Sequence, residues 1–165
     1  YIKRIIGLPG DTVSIKEGIV YVNGKASRQN KIGSFNDMHR NGYMENYHLL
    51  EEINIEGKSY KILDDVAFNG IVGSSFNGNT SFDVNNTMNY TVPKDKFFVM
   101  GDNREHSSDS RIIDQVGYVP KLNLVGKAAM IFLSIEYNTE YFSILGLKIG
   151  KLPKKIRLNR IGKLL

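Results

Sequence analysis

Thr12-Val13-Ser14-Ile15-Lys16-Glu17-Gly18-Ile19-Val20-Tyr21-Val22-Asn23-Gly24 decides the fold class. Thr12 to Lys16 alternates polar and apolar side chains, the period of a half-buried strand. Glu17-Gly18 breaks it, Ile19 to Val22 supplies a second strand rich in β-branched residues, and Asn23-Gly24 is a strong tight-turn signal. Working outward, Ile2 to Ile6 has β character and Leu8-Pro9-Gly10-Asp11 is a turn. Further on, Gly57 is the centre of an expected hairpin between Ile53-Asn54-Ile55 and Tyr60-Lys61-Ile62. Tyr90-Thr91-Val92, Lys96 to Met100, Val116 to Val119 and Leu124 to Ile135 also read as strands, and no heptad or solenoid period is present. The class is mostly β with little helix.

Between Ala26 and Asn89 the character changes. Asn, Ser and Gly become dense, apolar periodicity is weak, and Gly70 to Asn89 reads as loop. The stretch 27–89 is expected to be an inserted, variable β domain that splits a core made of 1–26 and 90–165.

The 165 residues suffice for one ordinary core carrying such an insertion. No apolar run approaches the roughly 18 residues that cross a bilayer, and Lys3, Arg4 and Asp11 interrupt any signal-peptide pattern at the start. The chain begins in mid-strand without Met, so a fragment of a longer protein is expected. Absence of cysteine excludes disulfides, thiolate zinc sites and a cysteine nucleophile. His39, His48 and His106 lack the short spacings of metal ligands, so neither metal nor other cofactor is expected. The net charge of +5 is uneven: residues 141–165 hold seven basic groups and no acid. That basic tail with interleaved Ile and Leu suits an anionic membrane surface better than nucleic acid, and equally fits a solvated end of a β domain.

The chemistry is concentrated in Gly101-Asp102-Asn103-Arg104-Glu105-His106-Ser107-Ser108-Asp109-Ser110-Arg111, directly behind the apolar run Phe97-Phe98-Val99-Met100. Gly-Asp-Asn is also ordinary turn chemistry, so a solvated turn and a site are both open. If the segment is extended, Ser107, Asp109 and Arg111 share one side; Asp109 and Arg111 then pair and Ser107 is held beside them. At the other end of the chain, Lys3 shares a strand face with Tyr1 and Ile5. Apolar surroundings would lower its pKa from about 10.4 and make it a usable general base. The alternative is a packed stem with an ammonium in water. Ser34, Asp37 and His39 have the residue types of a hydrolytic triad, but they crowd into one loop rather than coming from distant segments.

Taken together, these two segments resemble bacterial type I signal peptidase, the leader peptidase family. Lys3-Arg4-Ile5-Ile6-Gly7-Leu8-Pro9-Gly10-Asp11 is similar to its lysine-bearing motif. Residues 101–111 are similar to its Gly-Asp-Asn-Arg-x-x-Ser-x-Asp-Ser-Arg motif, in the family's order. Val116 to Pro120, Leu124 to Ala128 and Ile156 to Gly162 add to the likeness, whereas 27–89 contributes little.

The resemblance implies an antiparallel β catalytic core with a variable β insertion. It implies a serine endopeptidase that removes signal peptides from exported preproteins at the outer, periplasmic face of the cell inner membrane. Lys3 would be the general base and Ser107 would orient its amine; Asp109 and Arg111 would form a supporting ion pair. Arg4, Gly101 and Asp102 would brace the site. Tyr1 and Ile2 would help line shallow pockets for small residues at positions −1 and −3 of a substrate bound as an added strand. The family's nucleophilic serine lies in a Ser-Met-x-Pro-type motif upstream of the lysine, and no serine here matches it. The chain alone is therefore expected to be inactive. Two other classes remain open: a self-cleaving serine–lysine repressor and a non-enzymatic β module at a membrane surface.

Overall fold

The computed structural model describes residues 1–38, 44–65, 71–73, 81–131, 133, 135–144 and 147–163. It consists mostly of antiparallel β-sheets with almost no helix. The chain divides into two compact units, Tyr1–Asp37 with Met44–Val125, and Gly126–Leu165 with residues 38–43.

In the first unit, β1 (Arg4–Gly7) is followed by β2 (Thr12–Lys16), β3 (Ile19–Val22) and β4 (Lys25–Ala26). The last three form a meander whose two tight turns were anticipated. Lys16 pairs with Ile19 across Glu17-Gly18, and Val22 with Lys25 across Asn23-Gly24. All four turn residues have positive φ, between 48° and 77°. That left-handed geometry matches the twist of the strands and favours Asn and Gly.

The inserted stretch supplies β5 (Arg28–Met38), β6 (Met44–Ile53) and β7 (Ser59–Asp65) as one sheet, and β8 (Ile71–Gly73) paired with β9 (Ser81–Asp83). The hairpin at Gly57 forms as expected: the Asn54 side chain accepts from the Glu56 and Lys58 amides at 3.1 and 2.9 Å. The β8–β9 pair corrects the reading of 70–89 as loop; residues 70 and 74–80 lie outside the described residues. Strands of three residues are too short to leave a period that can be detected.

The chain re-enters the core through Asn85 to Thr87, which bonds along β2: Thr87 N–H donates to Ile15 O at 2.9 Å. Then follow β10 (Tyr90–Thr91), β11 (Lys96–Met100) and β12 (Val119–Pro120). β11 lies between β1 and β12, and its Phe98, Val99 and Met100 are buried. Val13, Ile15, Val20, Val22, Tyr90, Val92, Phe98 and Met100 make one apolar cluster, with Ile6 and Tyr118 against it. Removal of this apolar surface from water stabilises the unit and fixes the end of β11, where the polar segment begins.

The second unit is built on β13 (Ile135–Ile144) and β14 (Leu147–Ile156), a long antiparallel hairpin. Pro153, which has no N–H to donate, sits opposite Tyr137 at a register shift, where a lost ladder bond is tolerated. Among the described residues of 124–135 the expected continuous strand is not formed: an isolated bridge at Met130 and the start of β13 fall in it. Apolar, β-branched residues make a strand only where an edge accepts their backbone bonds. Val125 stands fully exposed. Of the basic tail, Lys148, Lys151, Lys154 and Lys155 lie on β14. Among the described residues no helix is long and apolar enough to cross a membrane.

Candidate active site

The site follows from one strand register. β1 runs antiparallel to β11 with Arg4 opposite Met100, so the next residues outward, Lys3 and Gly101, come side by side. From there the polar segment folds back, and Lys3 Nζ lies 2.5 Å from Ser107 Oγ. Gly101 makes the approach possible. A Cβ there would stand 2.6 Å from the Ser107 Cβ and 3.4 Å from Lys3 Nζ. Any larger residue would push the hydroxyl and amine apart.

Residues 101–111 are bends and turns rather than the extended segment assumed above, so side-chain parity does not organise them. Asp109 and Arg111 still meet, through loop geometry. Arg111 Nε and Nη2 each donate to the carboxylate at 2.9 Å, and the two residues are 0 % and 1 % exposed. A surface ion pair would contribute roughly 0–1 kcal/mol; this one lies inside the protein, where loss of either partner leaves an uncompensated charge. Burial alone would raise the Asp109 carboxyl, but the Arg111 guanidinium, the Gly101 N–H and Ser107 outweigh it and hold the pKa below its usual range. Gly101 N–H reaches Asp109 Oδ2 at 3.0 Å. The Arg111 guanidinium also donates to the Arg104 carbonyl, and Tyr90 OH donates to the Arg111 carbonyl at 2.9 Å. Ser110 closes the loop onto β11 by accepting from Val99 N–H at 2.9 Å while its own N–H donates to Val99 O at 3.0 Å.

Arg4 and Asp102 form a two-pronged pair at 2.8 and 2.9 Å, partly open to solvent. The Arg4 guanidinium also lies 3.7 Å from the ring centroid of Tyr60 on β7. Tyr1, Ile2 and Ile5 are exposed, at 120 %, 82 % and 46 %. Ile5 on β1 thus leaves its side chain largely open to solvent. Residues 1, 2 and 5 present exposed apolar side chains.

Three buried charged residues are given no role of their own in the sequence reading. Arg104 and Glu52 form a second internal ion pair at 2.5 Å, 4 % and 0 % exposed, and Tyr60 OH donates to Glu52 at 2.6 Å. Arg104 belongs to the motif, yet Glu52 follows another glutamate in Leu49-Leu50-Glu51-Glu52-Ile53, and nothing local tells which acid is internal. Glu105 is likewise buried. Withdrawal from water and a neighbouring Asp64 push its carboxyl up to about 7. His106 turns towards the inserted sheet, with Nε2 3.4 Å from Asp65 and its ring edge-on to Tyr47, and Ser107 turns to Lys3. Of the discounted triad, His39 lies outside the described residues. Among the described residues no group of three His, Asp or Glu side chains is arranged to hold a metal ion.

A family model described as "Signal peptidase, peptidase S26" matches residues 1–133. The chain is 32% identical over 166 residues to Signal peptidase I of Rickettsia canadensis (strain McKiel), covering 98% of this chain and 57% of that protein. It is also 32% identical over 165 residues to Signal peptidase I of Rickettsia felis, with the same coverage. The chain thus spans a little over half the length of the curated relatives it matches. The crystal structure of a signal peptidase I from Enterococcus faecalis V583 aligns over 75% of this chain and 78% of that one, with 26% identity and a TM-score of 0.34.

Proposed function

Because the chain belongs to the signal peptidase family, peptidase S26, we propose that it carries the base-bearing part of a serine–lysine endopeptidase. Its substrates would be exported preproteins, cleaved at the end of the N-terminal signal peptide. The observation that supports this most directly is the 2.5 Å approach of Lys3 Nζ to Ser107 Oγ, beside the buried Asp109–Arg111 pair.

In this reading a serine hydroxyl from a segment outside residues 1–165 attacks the scissile carbonyl. Uncharged Lys3 accepts its proton, and the resulting ammonium delivers that proton to the leaving amine as the acyl-enzyme forms. Water then attacks the ester, Lys3 again takes the proton, and the serine is regenerated with release of the new carboxylate. No metal takes part in these steps. Ser107 anchors the amine by its hydrogen bond. Arg4, Gly101 and Asp102 brace the junction of β1 and β11, and Asp109 with Arg111 fixes the loop bearing Ser107.

Substrate would add as a strand along the uncovered edge at Tyr1 and Ile2, with small residues at −1 and −3. Extended substrate laid over Tyr1, Ile2 and Ile5 would exclude water from the site. Residues 1–26 and 90–165 are taken as the catalytic part and 27–89 as a variable insertion. The working place is the outer, periplasmic face of the cell inner membrane, with the basic residues of 141–165 meeting anionic lipid rather than nucleic acid. The test is processing of a preprotein by the full-length protein, with the product's N-terminus read by mass spectrometry. Uncleaved preprotein, or equal cleavage by Lys3→Ala, would overturn the reading.

A further inference from the structure

Glu52 has an arrangement that no surface strand needs. It is fully buried on β6, and four donors fill its carboxylate: Arg104 Nη2 at 2.5 Å and Tyr60 OH at 2.6 Å on Oε1, Arg104 Nη1 at 2.8 Å and Gln29 Nε2 at 2.9 Å on Oε2. Burying a carboxylate is costly unless every acceptor position is used, so this site is completed rather than incidental. Its main partner is not in the inserted sheet. Arg104 stands three residues before Ser107 in the loop.

From Arg104 the contacts run on without a gap. Its N–H donates to Leu63 O at 3.0 Å, and Leu63 N–H donates to Asp102 O at 2.8 Å, so the edge of β7 is bonded to the loop backbone on both sides of Asn103. The Arg104 carbonyl accepts from Arg111, whose guanidinium holds Asp109. On the other arm, Tyr60, the neutral donor to Glu52, lies with its ring beneath Arg4, the residue after Lys3. The inserted sheet therefore grips a neighbour of each member of the Lys3–Ser107 pair.

We propose that Glu52 and Tyr60 are positioning residues of the site: together they set the approach of Lys3 to Ser107, which makes the inserted sheet part of the catalytic apparatus. This rests on the serine–lysine reading for its consequence in turnover, but the geometric claim does not. Neither residue reaches the reacting atoms; Glu52 acts through Arg104 and Tyr60 through Arg4. A misplacement of about 1 Å far from the chemistry costs on the order of a hundredfold in rate. Tyr60→Leu removes one of four donors to Glu52 and the ring under Arg4, so a loss of roughly five- to tenfold in kcat with KM within about twofold is expected.

The experiment uses the full-length protein as wild type, Glu52→Gln, Tyr60→Leu and, as a control in the same hairpin, Glu56→Ala, which breaks only the exposed Glu56–Lys58 pair. Preprotein kcat and KM are measured together with the acetic anhydride labelling ratio of Lys3 to exposed Lys94, read by mass spectrometry. Tyr60→Leu carries the test if Glu52→Gln does not fold. A lowered kcat with a labelling ratio altered about threefold or more, and a Glu56→Ala protein like wild type, supports the proposal. A folded Tyr60→Leu protein with unchanged labelling overturns it, whatever its kcat. If wild type cleaves nothing, the peptidase reading falls and the labelling ratio alone decides the positioning claim.

Discussion

Lys3 Nζ and Ser107 Oγ meet at 2.5 Å although they lie 104 positions apart in the sequence. The meeting depends on the β1–β11 register and on the missing side chain at Gly101. If Lys3 is the base, Lys3→Ala should cut processing by the full-length protein by about 10²–10⁴-fold or more. Ser107→Ala should leave a measurable remainder, down roughly ten- to a hundredfold, because it removes only the anchor of the amine. Initial rates of preprotein cleavage at saturating substrate check both; equal rates in Ser107→Ala and wild type would remove Ser107 from the scheme.

Gly101→Ala is a sharper geometric test. The new methyl must displace Ser107, and overpacking of this kind costs about 1–3 kcal/mol. Turnover should fall at least tenfold while the protein remains folded at 25 °C, since the nearest atoms the methyl meets belong to Ser107 and Lys3. Rates and urea midpoints measured side by side separate the two effects.

The Asp109–Arg111 pair should behave as an internal one. Arg111→Met strands a buried carboxylate, and the expected loss is about 3–5 kcal/mol. The double variant Asp109→Leu with Arg111→Met should recover a large part of that stability without recovering activity, because the Gly101 N–H and the loop carrying Ser107 lose their anchor. Equilibrium denaturation gives the first quantity and cleavage rates the second.

Glu105 predicts a pH effect of defined sign. Its carboxyl holds a proton up to about 7 in the folded chain, against a usual value of 4.5, through burial first and the Asp64 carboxyl second. Between those values the folded state binds a proton that the unfolded state has released, so stability is full below pH 4.5 and declines as pH rises through 7. Glu105→Gln should abolish this decline, giving a protein about 1–3 kcal/mol more stable than wild type at pH 8 and little different at pH 4.5. Denaturation curves at both pH values decide it.

The basic strand makes a further prediction about lipid. Replacing Lys148, Lys151, Lys154 and Lys155 by Gln should weaken binding to vesicles containing phosphatidylserine or phosphatidylglycerol by at least tenfold, at up to about 1 kcal/mol per charge. Binding by wild type should also weaken as salt rises. Equal sedimentation with neutral and anionic vesicles would show that the charge is not used in this way.

Much was written locally. The Asn23-Gly24 and Glu17-Gly18 turns and the alternation of Thr12 to Lys16 specify the β2–β4 meander, because a two-residue turn and a period of two are properties of neighbouring residues. The motif residues Lys3, Ser107, Asp109 and Arg111 are singled out by their likeness to a family's motifs, and the roles proposed for them go beyond what their types and spacing alone would say. What neighbours could not specify is who pairs with whom. The run from Leu124 had strand composition but no edge to join, while β13 and β14 found one another. Glu51 and Glu52 are identical as letters, and only the packing of Arg104, Tyr60 and Gln29 around one of them makes it internal. Whether an ion pair lies in water or in the interior depends on which distant segments fill the surrounding space. That is settled by long-range packing, to which no short window of sequence has access.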